Sequence, residues 1–278
     1  MRNRTSKATL IIHLALVFFL LAPQNLVCDE QASHEYKLNN EFLKRFGSDI
    51  YEVIKAPSGW EKKDFWRLTA VLGTGALLFA FDQDIDDWSQ DRRTSTSEDL
   101  ARFGSALGDG SFLGAMIAAV YVTGEIFDKR GLRKTALLSL ESWLTSGAFV
   151  LGMKALTGRA RPNKDEGPYS FHPFTFRPEY SSFPSGHSSS AFAVAAVIAD
   201  QSDSVVIDVL AFSLSTFAAL SRIHKGSHWA SDVFIGTVVG YFIGKKIAVS
   251  HREKDVKNVQ IGFCLSPRVK GLTVSFSF

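Results

Sequence analysis

Residues 181–200 read SSFPSGHSSSAFAVAAVIAD. The tetrapeptide Pro184-Ser185-Gly186-His187 runs directly into a stretch of small apolar residues. That stretch predicts a helix over 187–200, built from side chains that allow close helix packing. A titratable ring therefore sits at a helix mouth, where backbone N–H groups favour anions. The glycine before it lets the backbone approach a ligand closely. A purely structural histidine needs no such setting, whereas one that handles a proton beside an anion does.

Outward from this helix the same composition repeats. Apolar segments rich in Ala, Leu, Val and Phe cover 66–82, 111–127, 135–157, 187–200, 204–222 and 231–248. The expected fold is all-α: a six-helix bundle filling a domain over 61–248, with an extended link between the third and fourth helices. That link is long, proline-rich and aromatic, and long ordered loops of this kind carry function. Residues 29–60 are polar and mixed, a surface segment or a short helix. The tail over 257–278 alternates apolar and polar residues around Pro267 to Gly271, which predicts a small β-hairpin.

The ends and the charge limit the function classes. Arg2, Arg4 and Lys7 precede the apolar run Leu14 to Ala22, so 1–28 reads as a signal peptide cut near Cys28; an uncleaved anchor is the alternative. A net charge of +3 is too mild to argue for nucleic acid. Two cysteines make neither a disulfide framework nor a zinc site. Several apolar runs are shorter than the roughly 20 residues a membrane span needs, and Glu125, Glu141 and Asp208 interrupt others. The basic loop Lys129 to Lys134 also conflicts with the positive-inside rule if all six helices cross after export. Membrane association is expected, with the site on the extracytoplasmic side of a cell-envelope membrane. A soluble exported helical domain, periplasmic or secreted, is the alternative.

Three patches of chemistry fall at helix ends. Lys154 and Arg161 lie seven apart in KALTGRARP, and on a continuing helix would share a face. Pro162 puts Arg161 at the helix end. Pro184 to His187 is the second patch. The third is SRIHKGSHWASD, with Ser221, Arg222, His228 and Asp232. His228 and Asp232 are spaced so that the carboxylate can accept from one imidazole nitrogen and leave the other free to attack. The two loops holding these patches belong on the same side of an up-down bundle. Lys154, Arg161 and Arg222 then match a phosphoryl group; guanidinium forks bind its oxygens and a lysine adds a point charge. Ser185 and the Gly186 N–H add donors. In this reading His228 is the nucleophile, Asp232 orients it, and His187 protonates the leaving alkoxide.

Lys-x6-Arg-Pro, Pro-Ser-Gly-His and Ser-Arg-x5-His-x3-Asp resemble the three signature motifs of the type 2 phosphatidic acid phosphatase and vanadium haloperoxidase superfamily, without departure at any signature position. The resemblance implies an all-α bundle, a phosphohistidine mechanism and no metal or other cofactor. It implies phosphate binding by Lys154, Arg161, Ser185, Gly186 and Arg222, and catalysis by His187, His228 and Asp232. The first 60 residues and the C-terminal hairpin lie outside it.

The function expected is hydrolysis of phosphate esters, foremost of phosphorylated lipids such as phosphatidic acid, phosphatidylglycerol phosphate, an isoprenyl pyrophosphate or a glycolipid. A soluble broad-specificity acid phosphatase, a vanadate-dependent haloperoxidase and a non-catalytic binding protein are the competitors. Three lookalikes are set aside. His224 reads as a loop residue with no carboxylate four residues on. Asp82, Asp84, Asp86 and Asp87 read as a solvated loop, because Asp87 and Arg93 stand where a calcium loop needs Gly and Glu. Tyr169, Phe171, Phe174, Phe176 and Tyr180 form either a lipid-facing lip or ordinary loop packing.

Overall fold

A computed structural model describes residues 36–257 and the backbone of 259–266 and 269–276, with side chains over 36–252. The signal peptide expected over 1–28 lies outside the described residues.

Residues 36–257 form an all-α domain of nine α-helices. They are α1 (Asn40–Lys55), α2 (Lys62–Ala80), α3 (Asp82–Asp91), α4 (Ser95–Leu107), α5 (Gly110–Ile126), α6 (Arg130–Thr157), α7 (Gly186–Gln201), α8 (Val205–His224) and α9 (Ala230–Lys257). The six expected helices correspond to α2 and α5 to α9. The other three lie where the sequence is polar. In α1, Asn39 caps the helix by accepting from the Phe42 N–H at 3.0 Å, and Phe42 is buried. In α4, Thr94 and Ser97 form a reciprocal cap. The acidic stretch expected as a solvated loop is α3, and Asp82 at its start is fully buried. The reason is a tertiary partner: Arg159 pairs with it, as described below.

Helix α7 lies at the centre, packed against α6, α8 and α9. The tightest of these contacts is made without side chains. A Cβ on Gly240 would stand 2.1 Å from the Ser189 carbonyl oxygen, and one on Gly236 would stand 2.4 Å from that of Ser185. These glycines let α9 touch the α7 backbone. Apolar packing finishes the core, with Leu113, Ile117, Val120, Leu132, Ala136 and Val194 in one cluster and Leu138, Val197, Ile243, Ile247 and Ala248 in another. At the end of α9 remote from Ala230, His251 meets Asp49 of α1 at 2.5 Å, both buried.

The exterior is also apolar. Val205, Val206, Val209 and Leu214 on α8 and Leu144 and Leu151 on α6 are exposed. Helices α6, α8 and α9 are long and apolar enough to cross a membrane. Two bent pairs, α2 with α3 (57°) and α4 with α5 (52°), raise the number of possible spans to five. The short apolar run 233–244 is thus part of the longer α9, whereas α7 has only 16 residues. At the C-terminus, β1 (Val259–Ser266) pairs antiparallel with β2 (Val269–Phe276).

Candidate active site

Helix α6 ends at Gly158, whose φ of +56° is left-handed. A Cβ there would fall 1.7 Å from the His172 carbonyl oxygen, so only glycine fits. The stop comes less than one turn after Lys154 and before Arg161. The expectation that these two share one helical face therefore does not hold; Arg161 extends from the loop. They meet over that loop instead. The Lys154 ammonium donates to the Ser181 carbonyl, and Arg161 donates Nη2 to the Ser181 hydroxyl at 3.1 Å and Nε to the Pro178 carbonyl at 2.9 Å.

The same loop delivers Ser185, fully buried, as the cap of α7, and its N–H donates to the Asp232 carbonyl at 2.9 Å. Gly186 follows, and a Cβ there would meet nothing nearer than Val150 Cγ1 at 3.8 Å. Space above this helix N-terminus is thus open for a ligand. Arg222 arrives in the last turn of α8. Its Nη1 donates to Ser105 of α4, while its buried Nε has no hydrogen-bond partner among the described residues. A buried, unmatched donor is costly, and an oxyanion would satisfy it.

His228 is 2% exposed and lies in the turn just before α9. Its Nδ1 stands 2.7 Å from the Ser182 carbonyl oxygen. A carbonyl only accepts, so Nδ1 carries the proton and Nε2 keeps its lone pair. Burial first, then the charges of Lys154, Arg161 and Arg222, push the ring well below the usual histidine range. The ring is neutral at pH 7, and the three cations lie close enough to act on it together.

Asp232 is not hydrogen-bonded to His228; the gap from Oδ2 to Nδ1 is 4.0 Å. The expected direct bond is corrected by the other demands on that carboxylate. It accepts from Arg159 Nη1 at 2.6 Å, the Ser182 hydroxyl at 2.5 Å and the Trp229 N–H at 3.0 Å. Asp232 thus reaches the imidazole through Ser182. Arg159, Ser182 and Asp82 were missed by sequence reasoning. Arg159 lies inside KALTGRARP, but its spacing does not set it apart from a solvated arginine.

His187, in the first turn of α7, stands 3.9 Å from an Asp109 oxygen, beyond hydrogen bonding. The turn between α4 and α5 packs on it, since a Cβ at Gly108 would come 3.0 Å from the His187 carbonyl oxygen. Burial, and then the Arg222 charge, lower its pKa to about 4. His224 closes α8 instead of lying in a loop, with its Nε2 3.0 Å from Ser97 Oγ. In the long loop, Phe174 and Phe176 project into solvent at 70% and 86% exposure, while Tyr169 and Phe171 pack against Phe79.

Lys154, Arg161, Ser185, Gly186, His187, Arg222, His228 and Asp232 thus gather at one end of the bundle. Comparison with known proteins agrees with the fold. Residues 135–255 match the family model described as the PAP2 superfamily. A lipid A 1-phosphatase of Porphyromonas gingivalis is 36% identical over 101 residues, 34% of this chain and 21% of that protein, so the match spans about a fifth of that relative. A lipid A 1-phosphatase of Rhizobium etli is 26% identical over 197 residues, 66% of this chain and 82% of that protein. The crystal structure of a transmembrane PAP2 type phosphatidylglycerolphosphate phosphatase from Bacillus subtilis aligns with a TM-score of 0.51 and 22% identity, covering 68% of this chain and 96% of that one. At that identity the likeness is one of fold.

Proposed function

We propose, from the match of residues 135–255 to the PAP2 superfamily model, that the protein hydrolyses lipid phosphate esters through a phosphohistidine on His228. The observation that carries this reading is a neutral, tautomer-fixed imidazole within the field of three cations. The substrate phosphoryl group binds Lys154, Arg161, Arg222, the Ser185 hydroxyl and the Gly186 N–H. Nε2 of His228 attacks phosphorus while the bond to the lipid oxygen breaks, and His187 gives that oxygen its proton. In the second half-reaction, water attacks the phosphohistidine, His187 takes a proton from it, and inorganic phosphate leaves. The cations neutralise charge on the transferring group, so no step calls for a metal.

A lipid substrate is favoured by the span-length helices and by the exposed Phe174 and Phe176 in the loop that frames the site. The names of the relatives put a lipid A 1-phosphate on the panel, beside phosphatidic acid, phosphatidylglycerol phosphate and an isoprenyl pyrophosphate. The export-type N-terminus supports a site facing away from the cytoplasm. The test is phosphate release from this panel and from a water-soluble monoester, with chelator present. Wild type is expected to prefer a lipid, and His228→Ala to lose turnover. Activity in His228→Ala, or loss of activity on chelation, would overturn the mechanism; preference for the soluble ester would overturn the lipid assignment.

A further inference from the structure

We propose that Asp82 and Arg159 are positioning residues for His228, an inference that rests on His228 being the nucleophile. Arg159 is fully buried between two fully buried carboxylates. Its Nη2 donates to Asp82 Oδ2 at 2.8 Å and its Nη1 to Asp232 Oδ1 at 2.6 Å. Nη1 also donates to Ser231 Oγ at 2.8 Å, and Nε donates to the Pro168 carbonyl at 2.9 Å. The ring of Phe79 lies 4.6 Å from the guanidinium carbon, and that of Trp229 5.6 Å from it. The fork is locked in place.

This geometry ends at Ser182, the residue whose carbonyl fixes the His228 tautomer. Arg159 grips Ser182 in two ways. Its carbonyl accepts the Ser182 N–H at 3.0 Å, and its guanidinium holds Asp232, which accepts the Ser182 hydroxyl. Asp82 closes the chain from the other side. Its Oδ1 accepts the Ser231 N–H at 2.9 Å in the first turn of α9, and its Oδ2 accepts the Ser231 hydroxyl. The line Asp82, Arg159, Asp232, Ser182, His228 joins α3 to the imidazole. Asp82 lies outside 135–255, so the N-terminal helices complete the site. A flexible ammonium in place of Arg159 could not span both carboxylates in one plane.

The test is a double-mutant cycle on the full-length chain in detergent, reading kcat, KM and the burst of phosphoenzyme. Asp82→Asn is expected to lower kcat by about tenfold to a hundredfold through misplacement of the ring. KM should stay within about twofold, because Lys154, Arg161 and Arg222 are untouched, and in an Asp232→Asn background the same change should cost less than about twofold. Arg159→Lys serves the same cycle should Asp82→Asn fail to fold, which thermal unfolding reports. Wild-type kcat in either variant, or an equal loss in both backgrounds, overturns the proposal. Turnover by His228→Ala instead removes the premise, so the two failures are distinguishable.

Discussion

Burial, and then the charge of Arg222, hold the His187 ring down to about 4, so it is neutral in the free protein at pH 6. To act as the acid it must gain a proton when the phosphate arrives. The sign follows from charge: a bound dianion opposes Arg222 and favours the imidazolium. Binding therefore takes up a proton, and affinity for an anion that stays doubly charged, such as sulfate, should rise as pH falls from 7 towards 4. Titration calorimetry in buffers of different ionisation enthalpy reads the uptake, and His187→Asn should lose its share of the slope. A slope unchanged by His187→Asn would remove His187 from the acid role. At Arg222, the unmatched Nε makes the same point without a titration, as a donor waiting for an oxyanion.

At the scale of elements, one helix end and one helix contact set the geometry. Gly158 stops α6 where the loop must turn back, and its left-handed φ was not readable from TGRARP. Apolar runs gave away the six long helices, because their lengths and composition do not depend on partners. Helices α3 and α4 were not legible because their sequences are polar, and α3 depends on the buried Asp82–Arg159 pair and α4 on packing against α8, while α1 was open as a short helix. That Lys154, Arg161, His187, Arg222 and His228 come together was legible because side-chain type and spacing mark a candidate site directly, and their roles are the proposal. Ser182 was not, since its backbone carbonyl is the working group and every residue has one. The α7–α9 contact gives a clean test. Gly240→Ala places a methyl within 2.1 Å of the Ser189 carbonyl oxygen and must push α9 off α7. A thermal midpoint lowered by several degrees is expected, against the small effect of Gly152→Ala, whose Cβ meets nothing within 4 Å. Equal midpoints for the two would show that the close approach is not made.

For the whole molecule, the exposed apolar side chains of α6 and α8 need a covering, and a bilayer supplies one for helices of this length. The protein should fractionate with membranes, resist extraction by high salt or alkaline carbonate, and come into solution only with detergent. Release by salt alone would make the apolar exterior a protein interface instead. The proposed phosphate site then lies at one end of the bundle, where the headgroup of the proposed lipid substrate can enter. The N-terminal helices contribute Asp82 to the buried network behind that site, which ties the whole domain to one imidazole.

The role proposed for that imidazole can be observed. Rapid mixing of the protein with a lipid phosphate, quenching in alkali and locating the phosphoryl group by mass spectrometry tests the central claim most directly. Phosphate on His228, absent in His228→Ala, is the expected result. Phosphate on another residue, or full turnover with no phosphoenzyme at any time point, would contradict it.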